Sequence, residues 1–281
     1  MSVLTSHDEN AAERARRITP LKVLQAITTQ FRVINALILR ETKTRYGNYK
    51  IGFLWALLEP LVSISVFVAI FSNLRHDNPG GMPLVPFMIV GFVCFGFFRD
   101  PWSRMQTAIS NSRNMLSFPQ VTTFDVILSR GILDLLVNLV VLSFLLYMAW
   151  LLGYDVRCER PLGVLMVCAL LGITGLGLGF LLASVEPLIP SVKQFSGQVL
   201  GRPLYFSSGL FFTADTLPAP IREILMYNPI FNMIELVRGE FFYEFETLYG
   251  SWSYATMWAV VMLAVGLLTH QALHKRAIIK I

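Results

Sequence analysis

Residues 162–185 read LGVLMVCALLGITGLGLGFLLASV, a run with no charged side chain. At about 1.5 Å of rise per residue, a helix of that length crosses a hydrocarbon core of about 30 Å. The run is apolar all round and shows no two-residue alternation, so it reads as a helix and not as a strand of a transmembrane barrel. Working outward, comparable runs occur at Gly52–Ser72, Ile132–Leu152 and Tyr254–Leu273, with two shorter ones at Leu84–Phe98 and Val199–Phe212. The expectation is an all-α integral membrane protein with six transmembrane helices. Composition agrees, since 54% of the 281 residues are hydrophobic and only 15% are charged, against about 25% charged in soluble domains. The two short runs rise only about 21 to 23 Å as helices, so each must extend into polar sequence or end inside the membrane against protein or water.

The charges set an orientation. Residues 1–20 are polar and read as a flexible cytosolic arm. In 21–50, Leu24, Ile27, Phe31, Ile34, Leu37 and Ile38 recur at helical steps between Lys22, Gln25, Arg32, Arg40 and Lys43, the pattern of an amphipathic helix lying in the membrane interface. Residues 51–281 form the six-span domain. With six spans, eighteen of the 23 Lys and Arg residues fall on the side shared by the two termini. The positive-inside rule makes that side cytosolic. The net charge of +5 therefore reflects membrane orientation and not nucleic-acid binding. The remaining long loop, Thr213–Ser253, is rich in Ile, Leu, Met and Phe and is divided by Pro218, Pro220 and Pro229. It reads as a re-entrant helical pair at the outer end.

No stretch carries an enzyme's signature. There is no Gly-x-x-x-x-Gly-Lys-Ser/Thr phosphate loop, and no Gly is followed by Lys, so ATP hydrolysis is not assigned to this chain. Cys94, Cys158 and Cys168 lack metal-ligand spacing. His270 and His274 stand one turn apart without a third ligand and read as interfacial residues. Glu59 and Asp134 lie inside apolar runs, where a charge costs at least about 2.5 kcal/mol, so each faces the bundle interior, a partner or water; for Asp134, near the start of its run, reaching the interface is the simpler reading. Gly175-x-x-x-Gly179 and Gly197-x-x-x-Gly201 read as close helix contacts within one chain. Aromatic residues crowd the two short runs. Interfacial belts account for some of them, but sugars also stack on aromatic faces, so Phe95, Phe98, Tyr205 and Phe212 are candidates for a substrate path, with Trp55 and Glu59 beside them.

Several blocks carry a family resemblance: Arg40-Glu41-Thr42-Lys43-Thr44-Arg45-Tyr46 running into Gly52-Phe53-Leu54-Trp55-Ala56-Leu57-Leu58-Glu59-Pro60, then Asn114-Met115-Leu116 with Phe118-Pro119, and Tyr227-Asn228-Pro229 with Arg238. Across nearly the whole chain the sequence resembles the membrane (permease) subunits of type-2 ABC exporters, in particular the capsular-polysaccharide export branch. The resemblance implies a homodimer in the inner membrane, both termini cytosolic, driven by two copies of a separate ATP-binding subunit that would hold ATP and Mg. This chain would have no cofactor of its own. It implies a cytosolic gate at Arg40, Glu41, Lys43, Arg45 and Tyr46, an ATPase-docking stretch at Arg113, Asn114, Leu116, Phe118 and Pro119, and an outer re-entrant region with Asn228, Pro229 and Arg238. Periplasm-spanning export partners, a polysaccharide substrate and membrane lipid are the implied contacts. An exporter of O-antigen, teichoic polymer, lipid or drug is the alternative.

Overall fold

A computed structural model describes residues 20–47, 52–74, 79–118, 120–243, 245 and 247–280. The expected N-terminal arm, apart from Pro20, and the docking candidate Pro119 lie outside these. Among the described residues all regular structure is helical: α1 (Pro20–Tyr46), α2 (Gly52–Leu74), α3 (Leu84–Met105), α4 (Arg113–Leu116), α5 (Thr123–Leu151), α6 (Pro161–Val185), α7 (Val192–Phe195), α8 (Arg202–Ser207), α9 (Ala219–Met226), α10 (Pro229–Phe241) and α11 (Trp252–Ile279).

Local chemistry sets the helix starts. Thr122 and Asp125 form a reciprocal capping box at the start of α5: Thr122 Oγ1 accepts from Asp125 N at 3.2 Å, and Asp125 accepts from Thr122 N at 3.0 Å. This starts α5 well before its apolar run. Pro161 and Pro229 occupy first-turn positions of α6 and α10, where a missing N–H costs nothing. Ser251 caps α11.

Among the described residues five helices, α2, α3, α5, α6 and α11, are long and apolar enough to cross a membrane. The short second run resolves by extension, because α3 continues through Arg99, Pro101 and Arg104 to Met105. The expected fifth span, Val199–Phe212, is not among the five. In its place α7 runs into a π-helical stretch, Ser196–Gly201, and then α8. Pro203 offers no N–H to the carbonyl of Val199, which disfavours ordinary α-helical pairing there. Gly209, with φ of 73°, then reverses the chain in a conformation that favours glycine.

The centre of the bundle is α6, packed against α3 and α11. A Cβ on Gly175 would stand 2.4 Å from the carbonyl oxygen of Phe98, and one on Gly266 would stand 2.0 Å from that of Gly177. Backbones therefore touch where these residues lie, and Gly175 and Gly179 serve packing within the chain as expected. Gly197 has open space around it. Cys94 and Cys168 are buried on α3 and α6 with their sulfurs 3.8 Å apart.

His270 is not interfacial. It is buried between Thr123 Oγ1, 3.3 Å away, and Ser184 Oγ, 3.1 Å away, with the rings of Phe124 and Phe180 around it. Both ring nitrogens thus have partners, which is what lets the imidazole leave water.

Loops gather at two ends. At one, α1 meets the 106–122 segment through Arg40 and Met115, Ser110 bonds Glu186, and Lys280 donates to the carbonyl of Leu188 at 2.6 Å. At the other, Glu159 and Arg160 donate to the carbonyls of Phe241 and Glu240 at 3.1 and 3.0 Å. Helix α2 is held least: only 6% of its membrane-length window is buried, and among its described side chains Ile64 is the one that is buried.

Candidate functional site

Where α1 ends, its last turn brings Glu41 and Arg45 against α5. Arg45 Nη1 lies 2.6 Å from Asp134 Oδ1, and Arg104 Nε of α3 lies 3.2 Å from the same oxygen. Glu41 pairs with Arg45 at 3.8 Å and with Arg130 of α5 at 3.5 Å. Asp134 is 2% exposed, so it does not reach the interface; two guanidinium groups offset its burial inside an otherwise apolar helix. The result is a layer of charge that ties α1, α3 and α5 together.

Beside this layer lies a cavity of about 140 Å³, lined by Tyr46, Glu59, Phe95, Asp100, Asn138 and Tyr205 among others. It shares Tyr46, Ala56, Glu59 and Arg104 with a wider space of about 460 Å³ that also takes in Arg45 and Trp55. Together they form a groove between the exposed helix α2 and the wall made by α3, α5 and α8. Tyr205 approaches Phe92 and Phe95 edge-on at 5.9 and 5.7 Å between ring centres. Asn138 donates to Asp100 Oδ2 and to the carbonyl of Asp134, both at 3.0 Å. The groove mixes flat rings with charged and amide groups.

Of the path candidates, Trp55, Glu59, Phe95 and Tyr205 meet at this groove. Phe98 and Phe212 do not line it: Phe98 sits over Gly175, while Phe212 packs 6.0 Å from Phe231. Of the gate candidates, Glu41, Arg45 and Tyr46 join the charge layer or groove, Arg40 contacts Met115, and Lys43 is exposed. Among the docking candidates Arg113, Asn114 and Phe118 are exposed at the same end of the bundle, with Leu116 half-buried beneath them.

The outer candidates form a clamp. Asn228 accepts from Ile230 N at 3.0 Å and donates to Ser207 Oγ at 3.0 Å. Arg238 is wholly buried, donates to the carbonyls of Phe212 and Leu210 at 2.9 and 3.2 Å, and lies 3.9 Å above the Phe87 ring. Glu235, 3.7 Å from Arg238, accepts from Ala214 N at 3.2 Å. These contacts fasten α10 to the chain reversal after α8.

Sequence reasoning missed Arg104, Arg130, Asn138 and Glu235. The four-residue step from Asp134 to Asn138 and the three-residue step from Glu235 to Arg238 were the available signals, since each places two polar groups on one helix face.

Residues 32–242 match the family model described as ABC-2 type transporter. The chain is 27% identical over 234 residues to the polysialic acid transport protein KpsM of Escherichia coli, covering 83% of this chain and 90% of that protein. It is 29% identical over 252 residues to the capsule polysaccharide export inner-membrane protein CtrC of Neisseria meningitidis serogroup B, covering 86% and 91%. It is 28% identical over 246 residues to the capsule polysaccharide export inner-membrane protein BexB of Haemophilus influenzae, again covering 86% and 91%. With most of its length on the family model, five membrane-length helices and no strand among the described residues, the chain belongs to the ABC-2 type transporter family.

Proposed function

We propose that this chain is the inner-membrane permease subunit of an ATP-driven exporter that moves a capsule-type polysaccharide out of the cytosol. The observation that carries the reading is the aromatic and charged groove beside α2, in a chain aligned over most of its length with three capsule-export proteins. A sugar polymer needs a wet path, because each buried hydroxyl left unpaired costs about 1 to 3 kcal/mol. Rings such as Phe95 and Tyr205 offer contacts along which a repeating polymer slides without lodging.

In this reading two copies of the chain form one channel and two copies of a separate ATP-binding subunit, holding ATP and Mg, dock at Arg113, Asn114, Leu116, Phe118 and Pro119. This chain carries no cofactor and no catalytic residue. Residues 1–20 form a cytosolic arm, 21–50 an interfacial helix and 51–281 a membrane domain. The broken segment α7 to α8 serves as the sixth crossing, α9 and α10 re-enter from the outer side, and both termini are cytosolic. Gating falls to Arg40, Glu41, Lys43, Arg45 and Tyr46, and the outer end meets periplasm-spanning partners. The test is reconstitution of the chain with its ATP-binding subunit in vesicles: ATP-dependent movement of labelled polysaccharide is expected, and hydrolysis without movement of any glycan rejects the reading.

A further inference from the structure

Arg45, Arg104 and Arg130 each have a carboxylate within 3.5 Å. Arg99 of α3 and Arg202 of α8 have none, and neither makes a hydrogen bond or ion pair among the described residues. Both are exposed, and both line one cavity of about 430 Å³ between α3 and the π-helical stretch. Trp102 lines it too, and its buried indole N–H has no partner among the described residues. No carboxylate belongs to the lining.

The depth of this cavity suits a lipid headgroup. Arg99 stands six residues before Met105, where α3 ends, so about 9 Å of helix rise separates it from the loops that meet Arg40. Long basic side chains at that depth extend to the membrane surface. An apolar row accompanies the charge: Phe195, Val199 and Phe206 are exposed and stand with Arg202 at steps of four, three and four residues. A side chain at Gly197 would meet nothing, so there is room beside the row. A soluble anion gains nothing from such a row, whereas an acyl chain does. A second copy of the chain seated on the same face about a two-fold axis would bring Arg202 toward its own equivalent, with no carboxylate in the lining to separate them.

We propose that this cavity holds an anionic phospholipid of the bilayer: Arg99 and Arg202 clamp its phosphodiester, and an acyl chain lies along Phe195, Val199 and Phe206. Guanidinium groups match phosphate oxygens, and basic pockets between membrane helices take such headgroups. The π-helical stretch packs chiefly on its own sequence neighbours, so a lipid wedged between it and α3 braces it. The lipid stays in the membrane and is not cargo, so the site is independent of the substrate moved.

The test follows thermal unfolding of the full chain purified with its ATP-binding subunit and stripped of lipid in neutral detergent. Dioleoyl phosphatidylglycerol is expected to raise the midpoint by at least about 4 °C, and zwitterionic dioleoyl phosphatidylcholine by less than about 1 °C. Glycerol 3-phosphate, which has the phosphate but no chain, is expected to leave the midpoint unchanged at the same concentration. R99Q/R202Q loses the response to the anionic lipid. R99K/R202K, which keeps the charge, retains at least about half of it, and R157Q at the opposite end retains all of it. Each variant is checked for monodispersity and for retention of the ATP-binding subunit; should R99Q/R202Q fail that check, R202Q alone, at an exposed position, is expected to cut the response by about half. Equal shifts from the two lipids overturn the proposal, and so does a response that the glutamine variants leave unchanged. An equal shift from glycerol 3-phosphate also overturns it, since the site would then take a soluble phosphate. Finally, F206C in a Cys158→Ser background is expected to stay unlinked under copper phenanthroline with phosphatidylglycerol present. A disulfide between two copies at residue 206 would show that a second chain covers this face and would overturn the lipid assignment.

Discussion

Arg238 and Asp134 are both charged groups removed from water, and their surroundings explain why each survives there. Arg238 has two carbonyls and an aromatic face, and Asp134 has two guanidinium groups. Removing one member of such a buried set typically costs about 3 to 5 kcal/mol, because the remaining group stays buried without its partner. Arg238→Met is therefore expected to lower the thermal midpoint of the purified protein sharply, as Glu235 loses its counter-charge and the carbonyls of Leu210 and Phe212 lose their donor; a midpoint within 2 °C of wild type rejects the clamp. The aromatic residues divide by location. Tyr205→Ala is expected to impair glycan export at normal abundance, while Phe95→Ala, Phe98→Ala and Phe212→Ala lower the folded yield, as quantitative blotting beside an export assay will show. Residues packed in the core and residues lining a groove carry the same aromatic signature in a sequence, which is why these four could not be separated before their neighbours were known. Asp134 was misplaced for a related reason: its partner Arg45 lies 89 positions away.

Helices are where sequence and structure agree most closely. The apolar period of 21–50 and the run at 162–185 correspond to α1 and α6, because both patterns follow from the helix repeat and from the cost of an unpaired backbone in lipid. The segment after Pro190 was less legible, since a π-helical register depends on a single missing donor at Pro203 and on space beside Gly197, and neither alters hydropathy. The glycine contacts lead to a direct comparison. Gly266→Ala would drive a methyl group to 2.0 Å from the Gly177 carbonyl, whereas Gly197→Ala meets open space. Overpacking of this kind costs about 1 to 3 kcal/mol, so the first variant is expected to lose thermal stability and the second to lose little; equal losses would show that α6 and α11 are not in backbone contact. At the exposed turn beside α4, charge reversal at Arg113 combined with Phe118→Ala is expected to abolish co-purification of the ATP-binding subunit with the fold intact. Normal retention and normal export would remove this stretch from the interface.

For the molecule as a whole, the loops gather at two ends, and the Lys and Arg placement predicts that the end shared by the termini faces the cytosol, which labelling tests. In a Cys158→Ser background, since Cys158 is free and exposed, a cysteine introduced at Lys280 is expected to react with an impermeant maleimide only after the membrane is opened, and one at Tyr243 to react in intact spheroplasts; the reverse pattern would invert the topology. The purified chain alone is expected to release no phosphate from ATP, and turnover by the pure chain would contradict the division of labour proposed above.

The backbone contact between Gly177 and Gly266 has a mechanical consequence. Two helices pressed together without intervening side chains have no spare rotamers to rearrange, so α6 and α11 behave as a stator. Helix α2, attached through few buried residues, and the π-kinked stretch beside Arg99 lack that restraint. Any widening of the groove is then one-sided: the α2 and α8 walls swing against a fixed post, and the stroke is set by how far two lightly anchored segments travel.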